Sequence, residues 1–369
     1  MKFLKFFKNG HSPDYVVIFS TIFLVIFGLV MLMSASSNLG KVKFGDSYFY
    51  LKHQLISGLI FGILGFWLTS RFYYRYYQNF AVVFLMISII LLLLVFTPLG
   101  MTSGGATRWL HLGPFTFQPS ELLKIFFIIY LASWLGSKSY RQHDFFGGFL
   151  PFLIILSLIG SLLLLQPSTS TAVILTVTAL IIYFTSGAKI SYIFSAIILG
   201  LIGFLIISYS TPYRWERIMS FINPSSNIQT SSYQINQALI AIGSGGLWGV
   251  GYGQSTTKLR YLPQPIDDSI FAVIAEELGF IGSIFVIFVF ISLIIRIFLL
   301  SRKTSDEFGK LLLVGFGSLI ALQAFMHIGA ISGLIPLTGV PLPYISYGGT
   351  ALAIFMTISG IIVNISKYT

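Results

Sequence analysis

The chain consists largely of long apolar segments, and their number and length limit its fold more than any other feature. A helix that crosses a bilayer needs about 20 mostly apolar residues, and backbone in hydrocarbon must satisfy its own hydrogen bonds. Ten such segments are present, centred near residues 16–33, 54–70, 80–97, 121–136, 149–165, 171–187, 190–209, 270–296, 311–334 and 346–365. The sequence therefore predicts an all-α polytopic membrane protein with about ten transmembrane helices.

Composition agrees with this fold and excludes several kinds of function. The chain is 56% apolar and 9% charged, against roughly a quarter charged residues in an ordinary soluble domain. The ten segments leave no room for a separate soluble domain, so residues 1–369 are expected to form one membrane domain. The chain has no cysteine, which excludes thiol catalysis, disulfides and thiolate metal sites. It also lacks the basic-aromatic pattern that is typical of nucleic-acid binding.

The basic residues predict how the chain is oriented in the membrane. With the N-terminus inside, 13 of the 22 Lys and Arg residues fall in inner segments, which follows the positive-inside rule. An even number of spans then places both termini in the cytoplasm. Lys2, Lys5 and Lys8 before the first apolar run would also suit a cleaved signal peptide. The run is about 18 residues, longer than a cleaved signal usually has, so an uncleaved first span is favoured.

Three long connecting segments are predicted on the outer face, at residues 34–53, 98–120 and 210–269. The third has about 60 residues, too many for a plain connection, and the part from Tyr233 to Gly243 is typical of a short amphipathic helix. The glycines that follow, from Gly243 to Gly253, permit close backbone approach. Residues 333–349 contain three prolines and four glycines, and such broken backbone is tolerated at membrane depth only where it is buried or lines a cavity. We therefore expect a cavity on the outer face.

Acidic residues are concentrated in one part of the chain. Of only 11 Asp and Glu residues, four lie between residues 261 and 279: Asp267, Asp268, Glu276 and Glu277. Charge close to lipid is costly and tends to be kept for function. A carboxylate such as Asp268, next to an apolar helix, should have a raised pKa, which suits a general base. Alternatively, Asp267 or Asp268 caps the helix, or one caps while the other does chemistry.

Two further acidic positions allow a structural as well as a functional interpretation. Glu276 and Glu277 lie about 100° apart on a helix, so they must face different surroundings and one is expected to point into the bundle. It would there make either a functional or a packing contact. Glu121 and Lys124 share a helix face at i and i+3 and can form an ion pair. Lys124 could instead face the cavity and bind phosphate.

Several outer basic residues are candidate ligands for an anionic substrate, because Arg and Lys bind phosphate well. The alternative is that they neutralise lipid headgroups. His327, with Gln323 one turn earlier, is more typical of a hydrogen-bonded core residue than of a metal ligand. No group of residues has an established metal-ligand spacing, and no cofactor is evident. The candidate phosphate ligands are Arg108, Lys124, Arg214, Arg217, Lys258 and Arg260.

At these positions the chain resembles the SEDS proteins of shape, elongation, division and sporulation, and within them the FtsW-like branch of cell division. The similarity covers nearly the whole length. Its motifs are Gly28-Leu-Val-Met with Ser34-Ala-Ser, Arg108-Trp-Leu, Gly113-Pro-Phe-Thr-Phe-Gln-Pro-Ser-Glu121 with Lys124, Gln166-Pro167, Arg217-Ile-x-x-Phe-x-Asn-Pro224, Tyr233-Gln-x-x-Gln-Ala, Ile242-Gly-Ser-Gly-Gly, Lys258-x-x-Tyr-Leu-Pro263, Phe271-Ala-Val-Ile-x-Glu-Glu-Leu-Gly279 and Leu342-Pro-Tyr-Ile-Ser-Tyr-Gly-Gly349.

The resemblance implies an inverting peptidoglycan glycosyltransferase that polymerises lipid II outside the cytoplasmic membrane. The family's essential acid lies five positions after Pro263 and eight before Glu276, and both counts give Asp268. The implied substrates are lipid II and the undecaprenyl-pyrophosphate-linked strand. The implied partner is a class B penicillin-binding protein at the division septum, among other divisome proteins. A divalent cation could assist the pyrophosphate.

The chain departs from the family pattern at several positions, and other functions stay open. Gln264, Ile266, Asp267 and Ser269 replace the usual residues around the acid. Ser168-Thr-Ser-Thr171 replaces Asp-x-Gly-Thr, and His327 replaces a common Asn. The alternatives are a lipid II flippase, a non-catalytic scaffold, or the elongation or sporulation member of the same polymerase family.

Overall fold

We analysed a computed structural model, which describes residues 11–103, 106–112, 115–137, 141–222, 231–260 and 262–369. The helices in chain order are α1 (Tyr15–Phe44), α2 (Phe49–Arg71), α3 (Ala81–Leu94), α4 (Pro119–Gly136), α5 (Phe145–Leu165), α6 (Thr169–Thr185), α7 (Ile190–Tyr209), α8 (Pro212–Ile222), α9 (Ser231–Ser244), α10 (Thr257–Arg260), α11 (Ile270–Lys303), α12 (Glu307–Ile331) and α13 (Gly349–Ser366). Single helical turns at Tyr76–Asn79 and Arg141–His143 complete the helical structure of the described residues.

The predicted all-α membrane fold is confirmed. Within the described residues, eight helices are long and apolar enough to cross a membrane: α1, α2, α4, α5, α7, α11, α12 and α13. Two shorter apolar helices, α3 and α6, occupy the third and sixth predicted spans. The third is shorter than predicted because α3 ends at Leu94, where turns lead into Pro98.

Both ends of the described chain lie on the same face of the bundle, as an even number of crossings requires. The backbone N–H of His11 donates to the carbonyl of Lys367 at 2.8 Å, and that of Asp14 donates to Ser366 Oγ at 3.0 Å. Asp14 also pairs with Arg296 at 2.6 Å. The placement of this face in the cytoplasm stays a prediction from the basic residues, of which Lys2, Lys5, Lys8 and Lys138 lie outside the described residues.

A small antiparallel sheet precedes α4, in a segment that the sequence predicts as a loop. Its strands β1 (Gly100–Ser103), β2 (Ala106–Leu112) and β3 (Phe115–Phe117) lie in the order β1-β2-β3. Gly100 is opposite Leu110, and Leu110 is in turn opposite Phe117. Strands this short carry too little alternation to be recognised from the sequence.

The long segment between α7 and α11 contains three short helices. The predicted amphipathic helix is confirmed as α9, with bounds at Ser231 and Ser244. The sequence pattern does not predict α8 and α10. α8 packs against the end of α7, and α9 packs against α11 and α12, so the segment lies over one end of the bundle.

The glycine-rich stretch after α9 fills a break in α11. At Gly279 the helix has φ +67°, and neighbouring backbone groups bond to the glycine-rich stretch instead of to their own helix. Val250 N–H donates to Glu276 O at 2.9 Å, and Phe280 N–H donates to Gly246 O at 2.9 Å. A Cβ on Gly279 would lie 2.3 Å from Gly249 N, which no side chain tolerates. The predicted close backbone approach is confirmed.

The predicted broken segment between α12 and α13 is also confirmed. Residues 332–348 contain no helix and fold back against α12. Gln323 Nε2 donates to Pro341 O at 2.9 Å, and His327 Nδ1 lies 2.7 Å from Val340 O. These side chains satisfy carbonyl groups that have no helical partner, which is what allows non-helical backbone to be buried.

Candidate active site

A small cavity opens at the end of the bundle that is remote from the chain termini. It lies between α8, α9, α12, the residues before α11 and the broken segment. Its polar lining comes from Arg217, Gln234, Asp268, His327 and Thr338, and its apolar walls include Ile331 and Leu337. The cavity therefore brings together two candidates from the sequence, Asp268 and Arg217, and three residues that the sequence did not mark as site residues.

Asp268 does not cap α11. Ser269 holds the N-cap position and makes no side-chain capping bond; its Oγ donates to Pro263 O at 2.8 Å and accepts from Gln234 Nε2. Asp268 Oδ2 instead faces Gly339. A Cβ atom added to Gly339 would lie 3.4 Å from that oxygen and 3.8 Å from both terminal nitrogens of Arg217. The glycine at this positive φ thus places no side chain between the carboxylate and the guanidinium, and Arg217 Nη1 also donates to Leu337 O at 3.2 Å.

The charge of Asp268 is set by two opposing effects. Burial raises the pKa of its carboxyl group, while the positive charges of Arg217 and Arg108 lower it. A carboxylate whose pKa lies above its usual value, with cations nearby, suits a general base at neutral pH. Burial is thus the cause of the raised pKa that the apolar neighbours of Asp268 predict.

Asp267 is the second acidic group at this position. Its Oδ1 is buried and has no hydrogen-bond partner among the described residues, while its backbone oxygen accepts from Ser346 Oγ at 2.8 Å. Burial, and then the negative charge of Asp268, raise the pKa of Asp267 to about 7. Two adjacent carboxyl groups with raised pKa values titrate as a coupled pair.

Two of the other three predicted arginine ligands, Arg108 and Arg214, donate to backbone carbonyls. Arg108 Nε donates to Gln166 O at 3.1 Å, and its Nη2 donates to Pro167 O. This ties β2 to the end of α5 while the charge still acts on Asp268. Arg214 Nη2 donates to Leu164 O at 2.8 Å and is not part of the cavity lining.

Lys258 lies in a buried ion pair, away from the Asp268 cavity. Its Nζ contacts Glu277 Oε1 at 2.5 Å and Ser34 Oγ at 2.8 Å. Glu277 also accepts from Gly253 N–H at 3.0 Å. These contacts join α10, α11 and α1. The structure thus assigns Lys258 and Glu277 an architectural contact.

Glu276 is buried as well, and the expectation that the two glutamates face different surroundings agrees with the structure, in which Glu277 points toward α1 and Glu276 toward residues 255–257. Its carboxylate accepts from Ser255 Oγ at 2.5 Å, from Thr256 N–H at 3.1 Å and from Thr257 Oγ1. It therefore binds the start of α10. Both faces of α11 are covered here because the glycine-rich stretch packs on the side that would otherwise be exposed.

The predicted pair between Glu121 and Lys124 is confirmed, with 2.6 Å between Lys124 Nζ and Glu121 Oε1. Lys124 is 1% exposed and also donates to Gln323 Oε1 at 2.9 Å. Its charge is thus compensated inside the bundle. The remaining candidate, Arg260, ends α10, and its side chain lies outside the described residues, as does Tyr261.

The residues that line the cavity but were not predicted have little signal in the sequence. Gln234 and Thr338 are common polar residues, and Gly339 is one of 35 glycines. The sequence around His327 favours a hydrogen-bonded core residue and gives no signal for a ligand contact. Within the described ranges, no three His, Asp or Glu side chains lie close enough together to hold a metal ion.

Comparison with known proteins gives a consistent result. Residues 15–369 match the FtsW/RodA/SpoVE family, which is described as a cell cycle protein family. Stage V sporulation protein E of Bacillus subtilis (strain 168) is 37% identical over 359 residues, which is 97% of this chain and 98% of that protein. A protein of Geobacter sp. (strain M18) named "Probable peptidoglycan glycosyltransferase FtsW" is 36% identical over 360 residues, covering 97% and 98% of the two chains.

Solved structures show the same fold. The crystal structure of the rod shape determining protein RodA of Thermus thermophilus has a TM-score of 0.70 at 25% identity, covering 96% of this chain and 97% of that one. A chain from a peptidoglycan synthase complex, whose structure concerns the coordination of polymerization and crosslinking, has a TM-score of 0.78 at 24% identity, covering 96% and 98%. Together with the match over residues 15–369, these similarities show that the chain belongs to the FtsW/RodA/SpoVE family of SEDS proteins.

Proposed function

We propose that this protein is an inverting peptidoglycan glycosyltransferase that polymerises lipid II, with Asp268 as the general base. The observation that carries the mechanism is the cavity in which Asp268 Oδ2 and the Arg217 guanidinium both face Gly339. Family membership and the names of the relatives support the reaction class. The raised pKa of Asp268 supports its role.

The reaction needs one base and one displacement. A hydroxyl of the acceptor sugar attacks the anomeric carbon of the donor, and its proton moves to the Asp268 carboxylate. The bond between that carbon and the pyrophosphate oxygen breaks, and undecaprenyl pyrophosphate leaves with the electron pair. A single displacement inverts the configuration at the anomeric carbon, so no covalent enzyme intermediate and no second carboxylate are required.

The leaving pyrophosphate needs positive charge. Arg217 is placed to supply it, because it lines the cavity beside Asp268, and the charge of Arg108 also acts there. Fixed cations that meet charge as it develops lower the barrier most effectively. We propose that Arg214 and Arg260 lie along the path of the pyrophosphate. Lys124 and Lys258, already paired with carboxylates, would support the site by holding its helices.

We further propose that the cavity faces outward and that the protein acts in septal wall synthesis. The partner would be a class B penicillin-binding protein that crosslinks the strands, in line with the synthase complex of similar fold. A role in elongation or sporulation is the alternative, since a stage V sporulation protein is among the relatives. A divalent cation could take part in binding the pyrophosphate.

The test is lipid II polymerisation by the purified protein together with its partner transpeptidase, with and without a divalent cation. Asp268→Asn removes the proton acceptor and should lower the rate by about 10²–10⁴-fold, the usual contribution of a general base. Asp267→Asn is the matched control and should keep most of the activity. Full activity of Asp268→Asn would refute the assignment, and translocation of lipid II without polymerisation would favour a flippase.

A further inference from the structure

We propose that His327 is a positioning residue for the saccharide, and that its Nε2 accepts a hydrogen bond from a hydroxyl or amide N–H group of the substrate in the Asp268 cavity. This inference rests on the proposed function and deepens it. His327 lies on α12 and lines the cavity together with Asp268 and Arg217. The side chain is 1% exposed, so it is fully part of the protein interior.

One nitrogen of the ring is accounted for by the fold. His327 Nδ1 lies 2.7 Å from the backbone oxygen of Val340. A carbonyl oxygen only accepts hydrogen bonds, so Nδ1 must carry the proton. In the neutral ring the other nitrogen, Nε2, then has a lone pair and acts as an acceptor. The contact with Val340 thus sets both the tautomer and the orientation of the ring.

The other nitrogen, Nε2, is buried and makes no hydrogen bond to any described residue. Buried polar atoms are nearly always hydrogen-bonded, because an unpaired one has lost its hydrogen bonds to water and gained none in the protein. A purely architectural histidine would explain the Nδ1 contact but not an unpaired Nε2 on a residue that lines a polar cavity. Nε2 is therefore best explained as a contact that the ligand completes.

The chemistry of the cavity indicates which part of the ligand this is. Arg217 offers only donors and therefore suits the oxygens of the pyrophosphate, which only accept. Asp268 accepts the proton of the attacking hydroxyl. An additional neutral acceptor beside them suits a group that donates, and saccharides carry O–H and amide N–H donors. A phosphate oxygen would not satisfy Nε2 of the neutral ring.

Two substitutions separate the role of each ring nitrogen. In His327→Asn the amide nitrogen takes the place of Nδ1 and keeps the bond to Val340, but nothing reaches the position of Nε2. In His327→Gln the amide oxygen takes the place of Nε2, while the bond to Val340 is lost. The two variants, with wild type and Asp268→Asn, are assayed for kcat/KM with lipid II in the presence of the partner transpeptidase, and for thermal stability in detergent.

The expected pattern is a crossover between activity and stability. His327→Asn should keep a Tm close to that of wild type but lose about tenfold in kcat/KM, as the loss of one hydrogen bond predicts. His327→Gln should have the lower Tm but retain more activity than His327→Asn. If the wild-type protein is active and His327→Asn has the same kcat/KM, the inference about His327 is overturned but the proposed function is not. A wild type that does not polymerise lipid II would overturn the proposed function and this inference with it.

Discussion

At the scale of single residues, the adjacent acids Asp267 and Asp268 govern how the site should respond to pH. Burial raises the pKa of both carboxyl groups, and that of Asp267 reaches about 7, in part because of the negative charge of Asp268. A general base works only when it is deprotonated. Polymerisation should therefore increase with pH until Asp268 is deprotonated and then level off.

Asp267→Asn should move the acidic limb of the pH–rate profile, the part in which the rate rises with pH, to lower pH. Removing the negative neighbour makes it easier to ionise Asp268, so the pKa of Asp268 falls and the base becomes available in more acidic solution. The measurement is the initial rate of lipid II polymerisation from about pH 5 to about pH 9, where proton transfer to a carboxylate can be followed. A limb that stays in place, or moves to higher pH, would show that the two acids are not coupled.

A second prediction at this scale concerns the buried pair of Lys258 and Glu277. Lys258→Met leaves Glu277 buried without its cation, which should destabilise the protein by about 3–5 kcal/mol. The control is Lys52→Met, which breaks the exposed pair with Asp46, where the side chains are 63% and 37% exposed. Exposed pairs contribute about 0–1 kcal/mol, so this variant should be close to wild type. Equal loss of stability in the two variants, measured by thermal unfolding in detergent, would contradict the assignment.

At the scale of secondary-structure elements, the break in α11 depends on two backbones in direct contact. The glycine-rich stretch between residues 245 and 251 supplies hydrogen bonds to the interrupted helix. The interruption lies directly after Glu276 and Glu277, whose carboxylates hold α10 and α1. The helix, the glycine-rich stretch and the start of α10 thus form one packed unit.

Gly279→Ala should disrupt this unit. The residue has φ +67°, and an added Cβ would lie 2.3 Å from Gly249 N, so strain and steric overlap act together. We expect poor recovery of folded protein and a clearly lower Tm. Gly243→Ala, with nothing within 4 Å of an added Cβ in α9, is the matched control and should fold normally. Normal folding of both variants, judged by size-exclusion chromatography and thermal unfolding, would show that the break tolerates a side chain.

At the scale of the whole molecule, the two ends of the described chain meet on one face and the cavity lies at the opposite end. Hydrogen bonds between His11 and Lys367 and between Asp14 and Ser366 join α1 to α13. The distribution of basic residues then predicts that this face is cytoplasmic. The proposed function requires the same orientation, because the glycan strands form outside.

The natural absence of cysteine allows a direct test of this orientation. Ser305 is exposed in the turn between α11 and α12 on the face of the chain ends, and Val42 is 76% exposed near the opposite end of α1. A membrane-impermeant maleimide applied to intact cells should label Val42→Cys but not Ser305→Cys. Permeabilised cells should label both variants. The reverse pattern in intact cells would invert the topology and exclude an outward site.

The sequence by itself was sufficient for the membrane class, the positions of the apolar helices, the helix α9, the broken backbone before α13 and the pair of Glu121 with Lys124. These features follow from local properties: the length of apolar runs, the spacing of residues on a helix, and the effect of proline and glycine on the backbone. The distances in sequence from Pro263 and Glu276 in the family motif identified Asp268, although spacing alone could not distinguish a base from a helix cap.

Only the tertiary structure could decide which charges share a site, because that depends on contacts between residues far apart in the chain. It paired Lys258 with Glu277 and Ser34 in the interior and placed Arg217 beside Asp268. His327 lines the same cavity, and its buried Nε2 has no hydrogen-bond partner among the described residues. Local sequence patterns indicate which interactions a residue can make. Its burial and its neighbours, which depend on the packing of the whole bundle, determine which of these interactions it makes.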